Sequence, residues 1–167
     1  MKEKNNINPS SILYEEWIPI SKFILVLFIF IITILITAII LTFFYDPIDK
    51  IPMLAIGIPF IAFFILIYIN YRGMKIIITN DLLIVRFGIF NKKEILISDI
   101  LTFDNINVKF GDYLGLGVRI GFDSSLAFVT NFGDAIKLSY ANSKLFVFST
   151  NNHQEVSRII AERKKPD

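Results

Sequence analysis

Apolar residues are distributed along this chain in two distinct ways. From Phe23 to Tyr45, and again from Ile51 to Tyr71, they run without a single charge. After Arg72-Gly73 they break into short Ile-, Val- and Phe-rich runs separated by turn residues. The first pattern predicts long apolar helices and the second predicts strands. Eighteen of the 22 residues from Phe23 to Phe44 are Phe, Ile, Leu or Val; the others are three Thr and Ala38. As a helix this stretch spans ~33 Å at about 1.5 Å per residue, enough for a hydrocarbon core of about 30 Å. A helix packed on a water-soluble core keeps a polar face, and none interrupts this run. In the second block, Pro52 falls in the first turn, where its missing N–H costs nothing. Pro59 is interior and predicts a kink of the kind membrane helices tolerate. Tyr45, Tyr68 and Tyr71 stand where amphipathic rings prefer the interface.

The link Asp46-Pro47-Ile48-Asp49-Lys50 holds no domain, so the two spans are expected to form an antiparallel hairpin. Lys2, Lys4 and Lys22 precede the first span, and Arg72, Lys75 and Arg86 follow the second, against Lys50 alone in the link. The positive-inside rule then predicts a multi-pass protein of the cell membrane with both termini cytoplasmic. The first apolar stretch is too long for a signal-peptide core, and no small-x-small cleavage site follows it, so it is read as retained. Thr33, Thr37, Ala38 and Gly57 are the candidate positions for close helix packing. No ionisable residue lies inside either span, which argues against transport by this chain alone. Ser11 to Ile20, with Ile12, Leu13, Trp17 and Ile18 around Glu15 and Glu16, is read as a short interfacial helix ended by Pro19, with Trp17 at headgroup level. The expected organisation is a cytoplasmic or interfacial segment 1–22, a hairpin 23–71 with spans 23–45 and 51–71, and a cytoplasmic domain 72–167.

In that domain, strands are predicted at Met74 to Thr79 and Leu82 to Phe87, joined by Asn80-Asp81, then at Lys93 to Ile97 and Ile100 to Val108. A glycine-containing loop, Lys109 to Gly117, follows. Two hairpins are expected after it: Val118 to Phe122 with Leu126 to Thr130, and Ala135 to Tyr140 with Leu145 to Ser149. Asn152-His153-Gln154-Glu155 has the form of a capping box. It opens a helix that places Val156, Ile159 and Ile160 on one face, with Arg163, Lys164 and Lys165 at its negative end. The fold class is thus a membrane helical hairpin plus a mainly β domain of about seven strands, a bent sheet or partly open barrel capped by a C-terminal helix.

Composition narrows the chemistry. With no Cys there are no disulfides and no thiolate sites, and with His153 as the only histidine there is no multi-histidine metal centre in one chain. A net charge of +2 is too small to argue for nucleic acid.

The order of motifs adds a resemblance. Lys75-Ile-Ile-Ile-Thr-Asn-Asp-Leu-Leu-Ile-Val-Arg-Phe-Gly resembles the opening hairpin of the bacterial pleckstrin-homology-like (PH-like) membrane proteins. Ile95-Leu-Ile-Ser-Asp-Ile is similar to the strand that follows in that family, with Leu96 in place of its usual Pro. Tyr113-Leu-Gly-Leu-Gly-Val-Arg-Ile and Phe128-Val-Thr-Asn-Phe-Gly-Asp-Ala-Ile-Lys-Leu are similar to later segments of a membrane-anchored branch. Leu114 and Leu116 depart by replacing its Gly and Trp. The resemblance covers roughly residues 50 to 163. It implies a cytoplasmic interaction module, often self-associating, and no known reaction.

Candidate chemistry is sparse. Gly115-x-Gly117-x-x-x-Gly121 has the wrong spacing for a dinucleotide fingerprint and is followed by strands. His153 has no catalytic neighbour in sequence and is read as a helix-start residue. Asp99, Asp104, Asp112, Asp123 and Asp134 are scattered over turns without calcium-loop spacing. Phe87, Phe90, Phe110 and Phe122 are read as core or sheet-packing residues. Arg72, Lys75, Lys92, Lys93, Lys164 and Lys165 are the candidate contacts to membrane lipids. The reading is a membrane-anchored, non-enzymatic interaction protein, with a protein partner or a second copy, and without catalytic residues, cofactor, metal or small-molecule substrate. Its alternatives are an accessory subunit of a larger membrane complex and a membrane-surface lipid-binding protein or enzyme.

Overall fold

The computed structural model describes residues 11–45 and 50–164, which divide into two units. The tip of the expected link and the lysines Lys2, Lys4 and Lys165 lie outside the described residues.

The first unit, residues 20–72, is a pair of helices, α1 (Lys22–Tyr45) and α2 (Lys50–Tyr71). Both are long and apolar enough to cross a membrane, and almost nothing of either is buried within the protein. A core helix of equal hydrophobicity would be covered by its neighbours. The half-buried positions of α1 recur as Leu25, Phe28, Leu35, Ala38 and Thr42, one stripe at helical spacing facing α2. Phe28 meets Phe64 and Tyr68, with ring centroids 6.4 and 5.7 Å apart. Further along, Ile39 lies against Gly57, so the two helices run antiparallel. A Cβ at Gly57 would stand 2.8 Å from Ile39 Cδ1, the flexible end of that side chain, so Ile39 packs directly on the α2 backbone there. Of the expected packing positions, Ala38 and Gly57 lie on this seam, whereas Thr33 and Thr37 are exposed. The Thr33 and Thr42 hydroxyls donate to carbonyls one turn back, at Ile29 and Ala38. α2 is helical through Pro59.

The second unit is mainly β and begins with an element that reverses the sequence reading. Ile12–Pro19 is a strand, β1, and not an interfacial helix. It pairs antiparallel with β2 (Gly73–Thr79), Trp17 opposite Lys75 and Pro19 opposite Gly73. Glu16 and Ile18 point inward while Glu15, Trp17 and Pro19 are exposed, an alternation of period two. The partner that decides this is β2, whose edge would otherwise be open. β3 (Leu82–Phe87) and β4 (Asn91–Leu96) complete an antiparallel sheet in the order β1-β2-β3-β4.

A single 3-10 turn, Ile97–Asp99, leads to β5 (Ile100–Val108), and a short helix, α3 (Phe110–Tyr113), occupies the expected glycine loop. β6 (Gly117–Ile120), β7 (Leu126–Val129), β8 (Gly133–Tyr140) and β9 (Lys144–Ser149) join β5 in a second sheet ordered β5-β8-β9-β7-β6. Its β7–β9 pair is parallel and the others are antiparallel. Among the described residues, nine strands form two sheets that do not close into a barrel, in place of about seven in one bent sheet.

Between the sheets lies an aromatic and aliphatic core. Phe87 meets Phe128 at 5.9 Å, and Phe128 meets Phe146 at 5.1 Å, both edge to face. Met74, Ile76, Val85, Ile136 and Phe148 are fully buried. The C-terminal helix α4 (His153–Lys164) presents Val156, Ile159 and Ile160 inward, as its spacing predicts, and packs on β5, β8 and the 3-10 turn. Its capping box is rearranged. The Asn152 N–H donates to Thr150 Oγ1, and Glu155 is engaged by Arg158.

Candidate lipid-contacting surface and the polar networks behind it

Pro19 and Gly73 face each other at one end of the first sheet, so both chain links to the apolar helices leave from that end. Gly73 is two residues past Tyr71, the last residue of α2, and the extended chain covers only ~3.8 Å per step. Strand register stacks a lateral row one outward position in from this end. Trp17 opposes Lys75, Lys75 opposes Arg86, and Arg86 opposes Lys92. Lys75 Nζ pairs with Glu15 Oε1 at 2.6 Å, and Lys92 pairs with Glu94. Arg86 is exposed and has no ion pair among the described residues.

The same end carries the β3–β4 turn. Gly88 adopts φ 64°, a left-handed conformation that favours glycine, and its N–H donates to the Gly73 carbonyl at 3.0 Å. Ile89 and Phe90 follow, 66% and 81% exposed. Trp17, 49% exposed, lies over Gly73, where an added Cβ would come within 2.6 Å of the indole. Ile18 lines a shallow cleft with Phe132 of the β7–β8 connection, and Phe132 meets Phe110 at 6.0 Å. Of the four phenylalanines read as core or packing residues, only Phe87 is buried. Phe90, Phe110 and Phe122 are exposed, because each follows a strand end where the alternation that buries side chains has stopped.

Of the other candidate cations, Arg72 directly precedes Gly73 at this same end, and Lys93 and Lys164 lie elsewhere. Lys93 is on the inward side of β4, its Nζ 4.9 Å above the Tyr140 ring. Lys164 donates to the Leu101 carbonyl and lines a pocket with Asn80 and Asp81, at the opposite end of β2 and β3. Those ends are about 20 Å apart at ~3.3 Å per strand residue. The structure therefore groups Lys75 and Lys92 with Arg86, and separates Lys93 and Lys164 from them.

Two polar networks hold the unit together. In the first, the buried Glu16 carboxylate accepts from Thr150 Oγ1 at 2.7 Å, the Asn151 N–H at 3.0 Å and the Tyr14 hydroxyl at 2.9 Å. It ties β1 to the segment that precedes α4, and burial together with the nearby carboxylate holds the Tyr14 phenol above its ordinary pKa. In the second, Asp123 accepts from Lys137 Nζ at 2.6 Å and from the Ser125 hydroxyl and N–H at 2.5 and 3.0 Å. Ser125, its proton committed to Asp123, receives the Tyr113 hydroxyl at 3.1 Å. The Lys137 and Ser125 bonds hold Asp123 down at about 2, and Asp123 in turn raises Lys137. Ser125 is fully buried, and this Ser-Lys-Asp grouping clamps the β6–β7 turn.

Asp112 is likewise committed, accepting the Lys109 N–H at 2.7 Å at the start of α3. His153 is half-buried at the start of α4, with Nδ1 3.2 Å from Asp134 Oδ2 but without hydrogen-bond geometry. Among the described residues no three His, Asp or Glu side chains converge as a metal site. The Glu16 network and the apolar turn were missed in the sequence. The period-two alternation of residues 14–19 was the available signal for the first, and consecutive Ile89-Phe90 beside a glycine for the second. No family model, curated protein or solved structure matches the chain.

Proposed function

We propose that the chain is a membrane-anchored, non-enzymatic interaction protein of PH-like plan. Its hairpin crosses the cell membrane twice, and its β unit binds a protein on the cytoplasmic side, a second copy of the chain included. The observation that carries this reading is the pairing of β1 with β2. Strands on either side of the hairpin share one sheet, so the intervening segment crosses a bilayer an even number of times, and two helices have the length to do so. The lysine and arginine excess outside the link then orients the termini inward. The acidic and hydroxyl side chains that would suggest a reaction are engaged in holding the chain together, which favours binding over catalysis. Four strands, β1, β4, β5 and β6, stand at sheet edges and offer backbone groups to an added strand. The row Trp17, Lys75, Arg86 and Lys92 favours a second activity of the same unit, contact with lipid.

Two measurements test the reading. Reporters inserted in the 46–49 link and fused after Asp167 are expected to report opposite sides of the membrane, with the C-terminus inside; an outside C-terminus overturns the topology. The native mass of the full chain extracted in mild detergent is expected to exceed that of a monomer. A homo-oligomer supports self-assembly, a fixed set of other proteins makes it an accessory subunit, and a strict monomer with no partner refutes the interaction role.

A further inference from the structure

We infer that the Gly88–Phe90 turn, with Trp17 beside it, inserts into the headgroup layer of the bilayer, giving the β unit a third attachment to the membrane besides its two chain links. This rests on the reading that α1 and α2 span a membrane.

The turn is hydrogen-bonded to Gly73 at 3.0 Å, and Gly73 is two residues from the end of α2. Gly73 therefore lies within roughly 8 Å of the helix end along the chain, and the Gly88 backbone stands one hydrogen bond beyond it. The headgroup layer on each side of a bilayer is about 5–8 Å deep, the difference between the full thickness and the hydrocarbon core. The two turns that cap β3 differ in chemistry. At the distal end the chain turns on Asn80-Asp81, both exposed and polar. At the end linked to the helices it displays Ile89 and Phe90, 66% and 81% exposed, while Gly88 alone supplies the positive φ. Turning the chain thus does not require Ile89 and Phe90 to be apolar.

Trp17 leans over Gly73 at this same end, and indole rings favour the interface. Just behind, Lys75, Arg86 and Lys92 form a row suited to phosphate groups. A lipid surface matches this order of chemistry: apolar tips first, an indole beside them, cations one position behind.

The experiment uses the full chain reconstituted in phosphatidylcholine–phosphatidylglycerol vesicles, with acyl chains brominated either near the headgroup or near the methyl end. Trp17 is the only tryptophan, so the wild-type protein already carries a reporter. In a Trp17→Phe background, single tryptophans are placed by Phe90→Trp, Ile89→Trp, Asn80→Trp and, in the middle of α1, Ile34→Trp. The shallow bromines are expected to quench Trp17 in the wild type and both turn variants more than the deep bromines do. The Ile34→Trp variant should show the reverse preference, and Asn80→Trp should keep its emission. Quenching of Ile34→Trp together with turn variants that emit like Asn80→Trp overturns the inference while leaving the membrane reading intact. An unquenched Ile34→Trp removes both. Turn emission that is unquenched but blue-shifted, and that returns to the red on dilution of protein in lipid, assigns the turn to a contact between copies and also overturns it.

Discussion

The Glu16 network makes a quantitative claim about what holds the first strand in place. Glu16→Ala removes the acceptor for three donors. Thr150 is only 3% exposed, so its hydroxyl has little water to turn to, at a cost of ~1–3 kcal/mol. The Asn151 N–H and the Tyr14 hydroxyl lie nearer solvent, and each lost bond counts about 0.5–1.5 kcal/mol. Relief of the carboxylate's own desolvation offsets part of this, leaving a net loss of about 2–4 kcal/mol. For a unit of this size 1 kcal/mol moves the thermal midpoint by about 4–8 °C, so a fall of roughly 10–30 °C is expected. Thermal unfolding of the detergent-solubilised full chain, followed by Trp17 emission, measures it directly, since Trp17 is adjacent on the same strand. Glu16→Gln keeps one acceptor oxygen, and the hydroxyls can rotate to accept from its amide, so its loss should be about 1 kcal/mol. A Glu16→Ala change within about 0.5 kcal/mol, as for an ordinary surface residue, would refute the reasoning. A Glu16→Gln loss equal to that of alanine would show that charge and not hydrogen bonding carries the effect.

Other consequences follow from single contacts. Gly73→Ala places a methyl 2.6 Å from the Trp17 ring and 2.7 Å from the Ile18 carbonyl oxygen, which is backbone, so a loss of ~1–3 kcal/mol is expected in the same unfolding assay. In the hairpin, Gly57→Ala meets only the flexible end of Ile39 and should be tolerated, whereas Gly57→Leu should separate the helices and lower the yield of a disulfide engineered across the seam. Asp123 titrates at about 2 in the folded protein, below its ordinary 3.8. Its contribution is therefore complete above about pH 4 and disappears as pH falls through 2. With its side chain 40% exposed, that contribution is at most ~1 kcal/mol after screening. The midpoint of Asp123→Asn should accordingly lie below wild type at pH 5 and meet it as the pH approaches 2.

Much of this architecture was legible because its signals are local. Two charge-free runs of spanning length need no partner to be recognised, and the same holds for Leu82–Phe87 and Ile100–Val108, whose predicted bounds the structure reproduces. The inward face of α4 likewise follows from spacing alone. What tertiary structure decided is where distant segments meet. The stretch Ile12–Pro19 carries two glutamates among apolar residues, and its pattern was compatible with a helix. It became a strand because β2, on the far side of the whole hairpin, offers an open edge. Glu16 became a buried hub because that pairing carries it against Thr150 and Asn151. The six candidate cations looked alike in sequence. Register sends Lys75 and Lys92 to one row and Lys93 to the inside, and the packing of α4 carries Lys164 to the opposite end. Periodicity reports which side of an element a residue occupies, because backbone geometry repeats along the chain. Which surfaces then come together depends on pairing across large sequence separations, which no local pattern encodes.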